Sequence, residues 1–259
     1  MTGMSNIVVR PVRFSADVSG MQTFLEVIGL RPRIEARGGG WVDLSADSGM
    51  VALHDAATSV MGAKPGQATL SFEANHLDSL ADALRDAGVP DVTIHDEAYG
   101  RVLSCTDPMG DPIWIDGRTD DLYGYRAHPE SRPEAGLAVT PVRFTDPQGP
   151  YADFLVTLGL TRLGEPNESY VMFDAGDAKH GYVGLHYVYT QDPTDLPIVA
   201  GQGSVHLTFS THESLDAVAA RLVEAGYGDA HVMVEDFGSM LSVTDPDGQE
   251  VQVHEAPSS

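Results

Sequence analysis

The chain has 259 residues, enough for one large or two ordinary domains that each bury a core. Its 15 Lys and Arg face 38 Asp and Glu, a net charge of -23, so the surface repels nucleic-acid phosphates and anionic lipid headgroups and attracts cations. Nucleic-acid and membrane-surface roles are therefore excluded as expectations.

Lys64 and Lys179 are the only lysines, which leaves most positive charge on arginine, the side chain suited to planar, bidentate contacts with anions. No apolar run approaches a membrane span, and the opening MTGMSNIVVR lacks the basic start and apolar core of a secretory signal. The single cysteine, Cys105, cannot form an internal disulfide, in keeping with a reducing compartment, and a cytoplasmic location is expected.

In chain order, IVVRPVRF reads as an opening strand. Asp17 follows as an N-cap, and Val18, Met21, Phe24, Leu25 and Ile28 then recur at helical spacing up to a C-terminal glycine, Gly29. RPRIEA, WVDLSA and MVALHDA read as three further strands, giving the order β-α-β-β-β. After a Gly- and Pro-containing connection, ATLSFEA reads as a strand. A helix capped by Asn75 carries Leu77, Leu80, Ala81 and Leu84, and DVTIHDEA, RVLSCT and PIWID complete a second module. Residues 119–135, charged and turn-rich, read as a linker.

The remainder repeats this plan. PVRF at Pro11 returns at Pro141, and FLEVIGL at Phe24 returns as FLVTLGL at Phe154, both at an offset of 130. VALH at Val51 returns as VGLH at Val183, and LSFEA at Leu70 as LTFST at Leu207. TDPMG at Thr106 returns as TDPDG at Thr244, each supplying the acceptor, proline and glycine of a type I turn between alternating strands. Matches in one order imply a duplication, with halves at 1–118 and 136–259. Cys105 corresponds to Val243 of the other hairpin, so it reads as a small packed strand residue.

The Phe-x-x-x-x-Gly-Leu helix ends, the Asp-Pro-x-Gly hairpins and the module order resemble the vicinal oxygen chelate superfamily, which includes glyoxalase I, bleomycin-resistance proteins and extradiol dioxygenases. The resemblance implies an α+β chain of two tandem domains, each of two βαβββ modules whose curved mixed sheets surround a cleft. In enzymatic relatives, His or Glu side chains of the first and last strands hold a divalent ion there (Zn, Fe, Mn or Ni).

Carried over to this sequence, the acidic ligand after the hairpin turn corresponds to Trp114 and Gln252. The histidine of each second module's first strand corresponds to Thr69 and His206, and the acidic position ending each first module to Ala52 and Gly184. The opening-strand ligand falls near Pro11 and Pro141. By this count His206 alone is retained, and no cofactor is expected, with a divalent ion as the alternative.

Alternate residues of a strand share a face. Steps of two from the ligand positions add Arg13, His54, Ser71 and Asp116 in the first cleft, and Arg143, His186, Thr208 and His254 in the second. His186, His206 and His254, with Gln252, are candidates for a displaced metal site or an acid-base pair. His186 and His254 also read as strand-end residues bonded to backbone. Arg13 and Arg143 suit a ligand's carboxylate, enol oxygen or ring face, and equally an ion pair with nearby acids. Trp114 suits stacking on a planar ligand or plain core filling. Tyr182, Tyr187 and Tyr189 read as cleft-lining or ordinary strand residues.

Two functions follow from the resemblance. One is metal-free binding or sequestration of a small molecule, cationic or aromatic, as in bleomycin-resistance proteins. The other is a metal-dependent lyase, isomerase or dioxygenase with its site in the C-terminal half. A metal-free catalyst using His and Arg is a third. Monomer and homodimer are both compatible with the duplication.

Overall fold

A computed structural model describes residues 7–97, 100–119, 122–165, 167–177, 179–187, 205–235 and 238–256. Their strands form four mixed sheets, two per half. Sheet I runs Ile7–Val9, Ser71–Ala74, Pro112–Gly117, Gly100–Thr106, Thr93–Glu97 in hydrogen-bonded order. Sheet II runs Tyr125–Ala127, Arg31–Ala36, Trp41–Ser45, Met50–Asp55, Val12–Ser15, Ala68–Thr69. In the second half, sheet III contains Ala138–Val139, Thr208–Thr211, Glu250–Glu255, Gly238–Thr244 and His231–Glu235. Sheet IV contains Thr161–Leu163, Tyr170–Asp174, Tyr182–His186, Val142–Phe144 and Val205–His206.

Each module's first strand is shared between two sheets. The opening strand leaves sheet I after Val9 and enters sheet II at Val12, because Pro11, without an N–H, cannot continue the ladder. The same switch separates Val139 from Val142 at Pro141, and it occurs at Leu70 and Leu207. This exchange joins the two sheets of each half through a shared strand.

Four helices follow the sequence pattern: α1 (Val18–Ile28), α2 (Leu77–Asp86), α3 (Pro150–Leu158) and α4 (Leu215–Glu224). Asp17 caps α1 through the Gly20 N–H at 2.9 Å, as expected. The cap of α2 is His76, which makes no side-chain capping bond, so the expected role of Asn75 is corrected by one residue. A second correction concerns the stretch read as a linker. Its Tyr125–Ala127 pairs with Ile34–Ala36 and forms an edge of sheet II.

The halves join reciprocally. α1 packs on α4 and α2 on α3, and Arg221 of α4 donates to the Val27 and Ile28 carbonyls at 2.7 and 3.2 Å, closing the end of α1. Each Asp-Pro-x-Gly turn reaches the opposite half. Asp245 Oδ1 accepts from the Asp247 and Gln249 N–H groups, both at 2.9 Å, and Oδ2 accepts from the fully buried Arg13. In the counterpart, Asp107 Oδ1 accepts from Met109 and Asp111, while Arg143 lies 3.4 Å from Asp107 Oδ2 and 2.7 Å from Asp111. Gly49 and Gly181, equivalent in the repeat, meet at the junction of the halves. A Cβ on Gly181 would lie 3.1 Å from the Gly49 Cα, so neither tolerates a side chain. One hydrophobic core runs through both halves, from Ile7 and Phe24 to Phe209 and Val253.

Candidate functional site

Sheets I and II enclose a cleft of about 770 Å³ in the N-terminal half. Val12 and Phe14 project into it from the shared opening strand, as do Thr69, Ser71 and Glu73 from the second shared strand. His54 and Trp41 enter from sheet II, Trp114 and Asp116 from sheet I, and Tyr125 and His128 from the segment after the first half. The chain contains two tryptophans, and both line this cleft from opposite walls. Val60 and Met61 are exposed apolar residues that also line it. The indole N–H of Trp114 is buried with no hydrogen-bond partner among the described residues.

One end of the cleft holds a network of alternating charge. Buried Arg10 donates to Asp116 and, at 3.3 Å, to Asp43, and its guanidinium lies 5.7 Å from the centre of the Trp41 ring. Arg33 bridges Asp43 at 2.6 Å and Glu73 at 2.7 Å, and Arg118 reaches Glu73 at 3.0 Å. Burial opposes the charge on Arg10, but Asp116 and Asp43 more than offset it and its pKa rises. Burial likewise raises the Glu73 carboxyl, and Arg33 and Arg10 overcome that to hold it below the usual carboxylate range. These pairs tie the two walls together, with every member countered by an opposite charge.

The site expected from sequence is partly assembled here. His54, Thr69, Trp114, Ser71 and Asp116 line the first cleft. Arg13 does not, and this corrects the expectation. It points to the opposite face of the strand from Val12 and Phe14 and is buried against Asp245 and the Gly66 carbonyl. Arg143 is corrected for the same reason: it is buried at the junction of the halves and stacks 5.2 Å from the Tyr151 ring. Arg10, Arg33, Trp41, Asp43 and Glu73 were not picked out by sequence. Their signal was polar residues inside strand-like runs, Asp43 in WVDLS and Glu73 in LSFEA, where an inward polar group needs a partner.

In the second half, His186 and His206 belong to sheet IV, whereas Gln252 and His254 belong to sheet III. Phe144 lies against both sheet IV histidines, 4.7 Å from His206 and 5.8 Å from His186. The His206 Nε2 is buried and has no partner among the described residues, and burial pushes its pKa down to about 4. Burial also lowers the pKa of His254. Gln252 donates to Glu250 at 3.1 Å, and Ser242 donates to the same oxygen at 2.8 Å. Tyr182 and Tyr187 stand at the Tyr182–His186 strand, and Tyr189 lies outside the described residues.

The residues at the positions implied for a metal do not suit one. Ala52 and Thr69 flank Val12 in sheet II, with Trp114 across the cleft. In sheet IV, Gly184 and His206 flank Val142, and Gln252 is on sheet III. Among these, His206 is the single ordinary metal ligand. Among the described residues no group of three or more His, Cys, Asp or Glu is placed to hold a metal ion, so His186, His206 and His254 form no such group. Cys105 is buried, and burial followed by the Asp107 charge pushes its thiol up to about 12, as suits a packed strand residue.

Tandem pairs of curved sheets, each module built as βαβββ around a cleft, give this chain the fold of the vicinal oxygen chelate superfamily. It is similar to a catechol 2,3-dioxygenase at 16% identity and a TM-score of 0.62, over 96% of this chain and 86% of the other. A Mn(II)-bound glyoxalase from Novosphingobium aromaticivorans matches at 13% identity and 0.57, over 96% and 80%. The 2,2',3-trihydroxybiphenyl 1,2-dioxygenase of dibenzofuran-degrading Sphingomonas wittichii matches at 16% and 0.57, over 96% and 89%. At these identities the likeness is one of fold. No protein-family model and no curated protein sequence matches the chain.

Proposed function

We propose that this is a cytoplasmic small-molecule binding protein, similar in role to bleomycin-resistance proteins, that holds an aromatic or cationic compound in its N-terminal cleft without a metal ion. The observation that carries this reading is the pair of tryptophans on opposite walls of a cleft whose implied ligand positions hold Ala52, Thr69 and Trp114. Two flat rings favour a planar guest between them, and their faces attract a cation. Calorimetric titration against a panel of planar aromatic and cationic natural products tests it. At least one micromolar ligand is expected, with Trp114→Ala weakening it about tenfold, on the order of one aromatic contact. A panel without micromolar binding overturns the reading.

The activities of the similar structures support a second reading, a divalent-metal-dependent lyase, isomerase or dioxygenase, assigned to the C-terminal half because His206 is there. Of the implied ligand positions, that half keeps His206. Metal content of protein purified without chelator or affinity tag separates the two. About one equivalent per chain, lost in His206→Ala, supports the enzyme, and a metal-free, folded protein supports the binder.

A further inference from the structure

Accepting the N-terminal cleft as a binding site, the polarity of one of its walls narrows the class of ligand. His54 Nδ1 lies 2.7 Å from the backbone carbonyl of Asp55. A carbonyl oxygen only accepts, so Nδ1 carries the proton of the neutral ring and Nε2 carries the lone pair. That carbonyl is itself fixed, because the Asp55 carboxylate caps the short turn Ala56–Thr58 through the Ala57 N–H at 2.9 Å and Thr58 Oγ1 donates to the Asp55 carbonyl at 3.2 Å.

Aromatic neighbours hold the imidazole plane. Trp41 stands perpendicular to it, 5.7 Å between centroids, and Phe14 lies tilted at 5.6 Å. His54 is half-exposed and lines the cleft, and its Nε2 has no hydrogen-bond partner among the described residues. The arrangement is built twice. His186, its equivalent in the repeat, bonds the Tyr187 carbonyl through Nδ1 at the same 2.7 Å and also lies beside two rings, Phe144 and Tyr170. Recurrence at VALH and VGLH indicates a feature of the strand end rather than a chance rotamer.

We propose that His54 is a specificity-determining residue that accepts a hydrogen bond from the ligand, so that the cleft selects planar aromatic compounds bearing a hydroxyl or N–H at the ring edge over analogues in which that donor is blocked. A site built to pair with a donor rejects the blocked analogue because the imidazole lone pair then loses both water and partner. Apolar burial works the other way, since a blocking methyl group adds apolar surface and by itself favours the blocked compound.

Calorimetric titration of the whole protein with 2-naphthol and with 2-methoxynaphthalene tests this. The wild-type protein is expected to bind 2-naphthol about tenfold more tightly than the ether. His54→Phe, which keeps the ring and removes the acceptor, is expected to bring the two within about twofold, largely by weakening 2-naphthol. Equal affinities in the wild type, or a preference that survives in His54→Phe, would overturn the role of His54 while leaving the cleft as a binding site. If neither probe binds the wild type, the reading of the cleft fails, and this inference with it.

Discussion

At the scale of single residues, burial sets the chemistry of the C-terminal histidine. His206 has a pKa of about 4 in the folded protein against 6.5 unfolded, chiefly because burial disfavours its charged form, with Glu250 working against that shift and Arg13 and His186 reinforcing it. Between these values the unfolded chain takes up a proton that the folded one refuses, so stability falls as pH falls from about 6.5 to about 4. The full loss is on the order of 3 kcal/mol. Urea unfolding at pH 7 and pH 5 should show this slope, and His206→Gln should flatten it. An unchanged slope in the variant would place the pH dependence elsewhere. Glu73, whose pKa is depressed, acts only at lower pH, where its contribution disappears as the carboxyl protonates.

Part of the cleft was legible at this scale. Counting by two from the implied ligand positions, Thr69 and Trp114 among them, found His54, Ser71 and Asp116. It failed for Arg13 because counting began at Pro11, where the strand is passing from one sheet to the other. Beyond that switch the cleft face is carried by Val12 and Phe14, and Arg13 turns to Asp245. Such a change of sheet is a tertiary event that local alternation does not encode.

At the scale of elements, the Asp-Pro-x-Gly hairpin has two jobs carried by the two oxygens of one carboxylate. Oδ1 of Asp245 closes its own turn, and Oδ2 receives Arg13 from the other half. Both partners are fully buried, so Asp245→Asn should leave an uncompensated guanidinium and cost about 3–5 kcal/mol. Replacing both, as in Arg13→Met with Asp245→Asn, keeps the turn-closing oxygen and should recover part of that loss, which a double-mutant cycle by denaturant unfolding would measure. Equal losses in Asp245→Asn and in the double variant would mean that the unpaired guanidinium is not the source of the cost.

Helix positions, hairpins and module order were legible because each rests on local spacing and turn chemistry. The Tyr125–Ala127 strand was not, since Tyr-Arg-Ala in a charged, turn-rich stretch carries no alternation and is strand only by pairing with Ile34–Ala36.

At the scale of the molecule, the two halves share one core, exchange hairpins and meet at Gly49 and Gly181. A single calorimetric unfolding transition is therefore expected, and two separated transitions would contradict a shared core. Within this frame the second half's contacts help hold the first: Asp245 fixes Arg13 on the strand that also presents Val12 and Phe14 to the cleft. The central claim is that this cleft binds a planar guest without a metal. Both tryptophans of the chain line it, so their emission reports occupancy directly. The decisive measurement is tryptophan emission during titration of chelator-treated protein with a planar aromatic ligand identified by calorimetry. A saturable, one-to-one change that added divalent ions leave unaltered is predicted, and a change that appears only once metal is restored would contradict it.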